Sequence, residues 1–196
     1  MGTCNLNENS LEINKEMAMD THAKPTAKKE IDELYLYESA ICKIKFEIIK
    51  NDKIVKHAET GFFCEINDKN IPFRKALFTN NHVLGKNKIK INKQIEFEYC
   101  GKTNKIEITK DRKVFTNKKF DYTCIEILDT DNINKFFNID KTIFNDKNSL
   151  INKDIFILQY PEGILSHDIG KILDIKNDII RHSVSTGDRL SFNKEI

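Results

Sequence analysis

Short apolar segments recur along most of this chain at intervals of about ten residues, and Lys, Asn or Gly bounds each of them. Residues 42–49 show the pattern most clearly, because apolar side chains there alternate with charged ones at the period of a half-buried strand. Strands are predicted in the same way over 54–55 with 61–66, a stretch ending at His82, 87–91, 94–99, 105–108, 113–116, a stretch opened by Asp121, 155–160, 169–175 and 179–184. No heptad pattern and no internal repeat interrupts them. The spacing predicts an all-β barrel or sandwich.

Length and composition limit the number of domains and the class of partner. A chain of 196 residues is long enough for one domain, or for two small barrels that share one core. Apolar residues make up 39% of it, with 13 Phe but only 7 Gly and 3 Pro, which is typical of a globular chain with a core. The formal charge of +2 provides no field that would favour nucleic acid as a partner.

Cysteine usage and the polar N-terminus indicate the compartment. The five cysteines, at positions 4, 42, 64, 100 and 124, form no Cys-x-x-Cys pair and have no His at zinc-ligand spacing, so no metal site is predicted. Their odd number argues against a secreted disulfide framework, and the first thirty residues contain no apolar segment. The sequence therefore predicts a cytoplasmic protein without signal peptide or transmembrane segment. Gly2 and Cys4 are a weak acylation signal, because Leu6 stands where the myristoylation pattern has Ser or Thr.

Two polar residues stand beside apolar strands about forty residues apart. His82 ends the stretch 76–82, and Asp121 opens the stretch 121–128 about forty residues later. A hydroxyl nucleophile needs a neutral imidazole that takes its proton, and a carboxylate on the other ring nitrogen that fixes the tautomer. His82 and Asp121 could supply these two groups, although a single His beside an apolar run is more often a packed or surface residue; the roles of candidate general base and orienting carboxylate are what the family resemblance described next implies.

The order of these motifs, Thr79-x-x-His82-Val83 and then Asp121-Tyr122-Thr123, resembles the trypsin-like (chymotrypsin-fold) serine peptidases. The resemblance spans about residues 39 to 186. It implies a chymotrypsin-like double β-barrel, hydrolysis of peptide bonds by a Ser-His-Asp triad, a peptide or protein substrate, and no cofactor.

The nucleophile is the part of the family pattern that this sequence matches least. Family members continue after a strand such as 180–186 into a turn of the form Gly-Ser-Ser-Gly-Ser-Pro, whose backbone N–H groups form the oxyanion hole. Ser191 falls in register for the nucleophile, but Arg189 and Phe192 occupy positions where the family has Gly. The expected second barrel is incomplete at its C-terminal end. Two hypotheses follow: a serine endopeptidase homologue whose nucleophile turn is missing or degraded in this chain, or an inactive pseudoprotease that binds peptides or acts as a scaffold. The chain as written is expected to be inactive.

The expected organisation is a polar, disordered leader over 1–30 and a peptidase-like domain over 31–196. Within that domain the first barrel covers about 39–130, a partial second barrel about 140–186, and a divergent tail 187–196. Three further histidines, His57, His167 and His182, are expected at the solvent or at the rim of the cleft. The basic run of Lys86, Lys88, Lys90 and Lys93 is interpreted as the solvated face of an edge strand rather than a nucleic-acid site.

Overall fold

Strands in two sheets make up about half of the described chain, which in this computed structural model comprises residues 37–176 and 179–184. The first sheet contains β1 (Ile41–Lys50), β2 (Lys53–Glu65), β3 (Lys75–Thr79), β4 (Gln94–Tyr99), β5 (Lys102–Glu107), β6 (Val114–Asn117), β7 (Tyr122–Glu126) and β8 (Phe137–Asn138). The second sheet contains β9 (Asp154–Gln159), β10 (Ser166–Lys176) and β11 (Ile179–His182). The predicted leader, 1–30, and the predicted tail, 187–196, lie outside the described residues. The all-β prediction is confirmed.

Between the strands of the described residues, helical structure takes the form of single turns. These are α1 (Thr142–Asn145) and the 3₁₀ turns η1 (Asp129–Asp131), η2 (Lys147–Leu150) and η3 (Pro161–Gly163). Within the described ranges, no helix has the length and apolar character needed to cross a membrane.

The first sheet has the strand order β5-β4-β1-β2-β3-β7-β6, and β8 pairs in parallel with β2. A long hairpin, β1 with β2, forms its centre, in a register that pairs Ile41 with Phe62 and Lys50 with Lys53. Asn51 and Asp52 connect the two strands and both have positive φ, 52° and 57°. Two left-handed residues give the type I′ turn that suits the twist of a hairpin, and Asn and Asp tolerate this conformation. The predicted turn at this point of the sequence is confirmed.

The second sheet has the order β11-β10-β9, with both pairings antiparallel. It contacts the first sheet where β9 ends, because the Tyr160 backbone N–H donates to Thr60 Oγ1 on β2 at 2.8 Å. The turn η3 follows directly and returns the chain into β10. Pro161 therefore ends the predicted strand 155–160 as expected, since it lies just beyond Gln159, the last residue of β9.

The main hydrophobic core lies on one face of the first sheet. Phe63 is fully buried at its centre, and its ring meets those of Phe97, Tyr99 and Phe136 edge-on at centroid distances of 5.7, 5.1 and 6.2 Å. The other fully or nearly buried members are Cys42, Ile44, Leu77, Val83, Leu84, Ile95, Ile106, Ile108, Ile125, Ile127 and Ile133. Val83 and Leu84 directly follow His82, so the residue predicted as general base is attached to the core by its neighbours in sequence.

The predicted strand over 87–91 is wrong. Residues 82–88 form successive turns, in which the N–H groups of Lys88 and Ile89 both donate to the Gly85 carbonyl, at 2.8 and 3.1 Å. Because these two N–H groups donate within the turn, they cannot donate to a neighbouring strand. The strand predicted to end at His82 also ends earlier, at Thr79, and the Asp121 strand begins one residue later, at Tyr122.

Three buried cysteines should resist alkylation in the native protein. Burial raises the pKa of Cys64 to about 11 and that of Cys124 to about 12, and it also raises the pKa of Cys42. At about pH 8 these thiols are therefore almost entirely protonated, whereas an exposed Cys ionises appreciably, and the thiolate is the nucleophile. Iodoacetamide followed by peptide mass spectrometry should find these three unmodified in buffer and modified in urea. Equal modification rates in both conditions would contradict the described burial.

Candidate functional site

Neighbouring strands bring together the two residues that the sequence singled out. β3 and β7 pair antiparallel, and Thr79 at the end of β3 lies opposite Thr123 near the start of β7. The residues that follow β3 and the residue that precedes β7 therefore meet at one edge of the sheet. His82 belongs to the first group, and Asp121 is the residue immediately before β7.

The Asp121 carboxylate binds both the ring and the backbone of His82. Its Oδ2 lies 2.6 Å from His82 Nδ1, and its Oδ1 accepts the His82 backbone N–H at 2.9 Å. A carboxylate that receives two donors of one residue restrains both the position and the rotation of that residue's side chain. This is the arrangement that the sequence predicted for a base and its orienting carboxylate.

Local backbone geometry holds Asp121 in place. Asp121 has a positive φ of 49°, a conformation that Asp tolerates better than most residues. Its carbonyl accepts from the Asn81 N–H at 3.1 Å and from Asn80 Nδ2 at 3.3 Å, and Asn80 Nδ2 also lies 3.3 Å from Asp121 Oδ2. Asn80 therefore contacts both the backbone and the side chain of Asp121. Sequence reasoning did not identify this residue, although a polar side chain at the end of a buried strand was a usable signal.

A tight turn carries His82 from the end of β3 into the core. The N–H groups of Val83 and Leu84 donate to the Asn80 carbonyl at 3.2 and 3.1 Å, and the Leu84 carbonyl accepts from buried Thr123 Oγ1 at 2.7 Å. Gly85 closes the turn, because a Cβ at this position would stand 2.8 Å from the Asn81 carbonyl oxygen. A backbone atom cannot move aside as a side chain can, so this turn requires glycine.

The side chain of Lys88 lies against the same turn. Its Nζ donates to the His82 carbonyl at 2.7 Å and to the Val83 carbonyl at 3.0 Å, and it lies 4.8 Å from the centroid of the Phe46 ring. Burial, with a smaller effect from the charge of Lys93, lowers the pKa of the Lys88 ammonium. The interpretation of Lys88 as part of a solvated strand face was therefore wrong, because residues 87–91 form no strand and the ammonium contacts backbone carbonyls.

The hydrogen-bond roles at the pair follow from the chemistry of its members. An ionised carboxylate only accepts, so Nδ1 of His82 carries a proton when it bonds Asp121. Neutral His82 then keeps its lone pair on Nε2, the nitrogen that would accept a proton from a nucleophile. The side chain of His82 is 47% exposed and that of Asp121 is 40% exposed, so solvent-borne molecules can reach the ring.

The other predicted residues occupy different places. Ser191 lies outside the described residues, as do Arg189 and Phe192. His57 stacks on Phe46, with ring centroids 5.7 Å apart. Two further histidines belong to the second sheet. His167 is exposed on β10 as expected, whereas His182 on β11 is half-buried, and its Nδ1 is buried without a hydrogen-bond partner among the described residues.

An apolar groove of about 600 Å³ lies between the two sheets. Its lining includes Tyr37, Ile41, Thr60, Phe62, Cys64, Phe137, Asn138, Phe156, Ile157 and Leu158. The groove adjoins the strand that leads to the candidate site, because the Thr60 carbonyl accepts from Thr79 Oγ1 at 2.9 Å. Large aromatic side chains give this groove the character of a surface that accepts apolar groups.

Comparison with known proteins gives no family, and the solved structure described below resembles this chain only weakly. No family model matches the chain, and no curated protein matches it. Among solved structures, the chain is similar to one from work on how aromatic interactions drive the coupled folding and binding of the intrinsically disordered Sesbania mosaic virus VPg protein. The likeness has a TM-score of 0.46 and 13% sequence identity, and it covers 76% of this chain and 69% of that chain. A likeness of this strength assigns neither a family nor an activity.

Proposed function

We propose that the chain is a homologue of the serine endopeptidases with a chymotrypsin-like double barrel, in which His82 is the general base and Asp121 its orienting carboxylate. The observation that carries this proposal is the double contact of Asp121 with His82, one oxygen on the ring Nδ1 and the other on the backbone N–H. An ion pair at the surface would need only the contact between the carboxylate and the ring, so the second contact, to the backbone, is the informative one. Binding both groups fixes the imidazole in one orientation and one tautomer, which is what proton transfer to a base requires.

In this proposal the Nε2 lone pair of His82 accepts the proton of a hydroxyl nucleophile as the oxygen attacks the scissile carbonyl. The imidazolium that forms is stabilised by the Asp121 carboxylate, and it then returns its proton to the leaving amine. Ser191 is the candidate for the nucleophile, on the basis of its register after the strand 179–184. Arg189 and Phe192 stand at two positions where the family has glycine, so the oxyanion-hole turn would differ in this chain.

The second candidate function is peptide binding without catalysis. The apolar groove between the sheets favours it, because a cleft lined by Phe62, Phe137 and Phe156 would accept apolar side chains with or without a working nucleophile. A pseudoprotease would keep the His82–Asp121 contact as part of its fold and lack only the activated serine.

Labelling with a fluorophosphonate separates the two functions, because this reagent reacts with an activated serine hydroxyl. An endopeptidase with a working nucleophile would be labelled at Ser191, as located by peptide mass spectrometry. Ser191→Ala should abolish labelling, and His82→Ala should slow it by roughly 10²–10⁴, the usual contribution of a general base. His167→Ala removes an exposed histidine of the second sheet and is the matched control, so it should label like the unmodified chain. A folded but unlabelled chain would support the peptide-binding function instead.

A further inference from the structure

Accepting the proposed role of His82, we infer that Lys88 is a positioning residue for it, holding the backbone carbonyl of the general base while Asp121 holds its N–H. Lys88 Nζ donates to the His82 carbonyl at 2.7 Å, while Asp121 Oδ1 accepts the His82 N–H at 2.9 Å. Both polar groups of the His82 backbone are thus bound by charged side chains, one cationic and one anionic.

The carbonyls that Lys88 binds have few alternative partners. Residues 82, 83 and 84 follow one another in a tight turn, and their carbonyls accept hydrogen bonds from side chains. Lys88 donates to the first two, at 2.7 and 3.0 Å, and Thr123 donates to the third. Val83 is fully buried, so an unpaired carbonyl there would carry a desolvation cost. Removing the Lys88 ammonium therefore takes a hydrogen-bond donor away from two consecutive carbonyls, those of His82 and Val83.

Lys88 is itself held in the orientation that makes these contacts possible. Its backbone N–H donates to the Gly85 carbonyl at 2.8 Å, which places its side chain over the turn. The ammonium lies 4.8 Å from the centroid of the Phe46 ring on β1, within the distance of a cation–π contact. Lys86 and Lys90, from the same basic run, are exposed. Lys88 is therefore distinguished from its neighbours by position and contacts and not by residue type.

A shift of the His82 backbone would also move its imidazole ring relative to Asp121, because Asp121 binds both the backbone N–H and the ring. The Nδ1 to Oδ2 distance of 2.6 Å is short, and it is compatible with the 2.9 Å backbone contact only while the turn keeps its present path. A displacement of about 1 Å at a catalytic group can lower a rate by as much as 10²-fold. Lys88 would thus affect catalysis without touching substrate.

The test is nuclear magnetic resonance of the full chain labelled with ¹⁵N-histidine, in the unmodified protein and in Lys88→Met, Lys88→Arg and Lys86→Met. The probe is the proton on His82 Nδ1, assigned by its loss in His82→Ala, whose downfield resonance reports the bond to Asp121. Lys88→Met should shift this resonance upfield or broaden it through exchange. Lys88→Arg, which keeps a cationic donor, should restore it at least in part, and Lys86→Met should leave it unchanged.

Fluorophosphonate labelling of the same variants provides the second readout. Lys88→Met should label about 10-fold to 10²-fold more slowly than the unmodified chain, and Lys86→Met at the same rate. An unchanged His82 resonance in folded Lys88→Met overturns the inference. Should Lys88→Met fail to fold, Lys88→Gln, whose amide is neutral and whose donor nitrogen lies one bond closer to the backbone than Nζ, gives the same comparison. The proposed function can fail separately: an unlabelled parent chain refutes it, while the resonance still reports on Lys88.

Discussion

Asp121→Asn should slow fluorophosphonate labelling, and any peptidase turnover, by roughly 10⁴, with little change in the fold. The two contacts of Asp121 explain why. The His82 backbone N–H can only donate, whereas the imidazole can change tautomer, so the Asn side chain would place its oxygen on the backbone N–H and its NH₂ group against Nδ1, at the cost of the 3.3 Å contact from Asn80 Nδ2. Nδ1 must then accept, the proton moves to Nε2, and His82 loses the Nε2 lone pair that the proposed general base would use.

The tautomer itself can be measured independently of catalysis. ¹⁵N chemical shifts of the imidazole should place the proton on Nδ1 in the unmodified chain and on Nε2 in Asp121→Asn. Asp111→Asn is a suitable control, because Asp111 is exposed and the same chemical change there should alter neither the tautomer nor the rate. A loss of less than tenfold in Asp121→Asn would contradict the role given to this carboxylate.

Arg112→Met should lower the free energy of unfolding by about 3–5 kcal/mol, because it leaves a buried carboxylate without its partner. The side chains of Arg112 and Asp131 are only 4% and 8% exposed, and they form a bidentate pair with distances of 2.7 and 3.0 Å. Arg112 Nη1 also donates to the Glu126 carbonyl at the end of β7, at 2.7 Å. The pair thus fixes the far end of the strand that begins after Asp121.

Urea denaturation monitored by circular dichroism would measure this loss. Lys113→Met removes an exposed cation from the adjacent position and should change the stability by no more than about 0.5 kcal/mol. The double variant Arg112→Met/Asp131→Leu should recover part of the loss, since no buried charge is then left alone. Recovery should stay incomplete, because Asp131 Oδ2 also accepts the Leu128 N–H at 2.7 Å. A loss below about 1 kcal/mol in Arg112→Met would show that the pair is not held in a buried environment.

The strands and the pairing of His82 with Asp121 could be anticipated from the sequence to different degrees. Alternation of apolar and charged residues indicated β1, where Cys42 and Ile44 are buried while Lys45 is exposed. The same criterion failed at 87–91, because the alternation of Lys with Asn and Ile there arises in a series of turns. Periodicity reports which side chains face the core, and turns can imitate it over a few residues.

The sequence alone determined the all-β class, the hairpin turn at Asn51-Asp52 and the choice of His82 and Asp121, because these depend on local pattern and on residue type. Only the tertiary structure decided the contacts that hold these two residues: Asn80 on Asp121, Lys88 on the His82 carbonyl, and the buried pair of Arg112 with Asp131. Such contacts depend on the pairing of β3 with β7 and on the path of the turn between 80 and 88. A lysine in a sequence carries no sign of whether its ammonium meets water or a backbone carbonyl, since that depends on which parts of the chain the fold places around it.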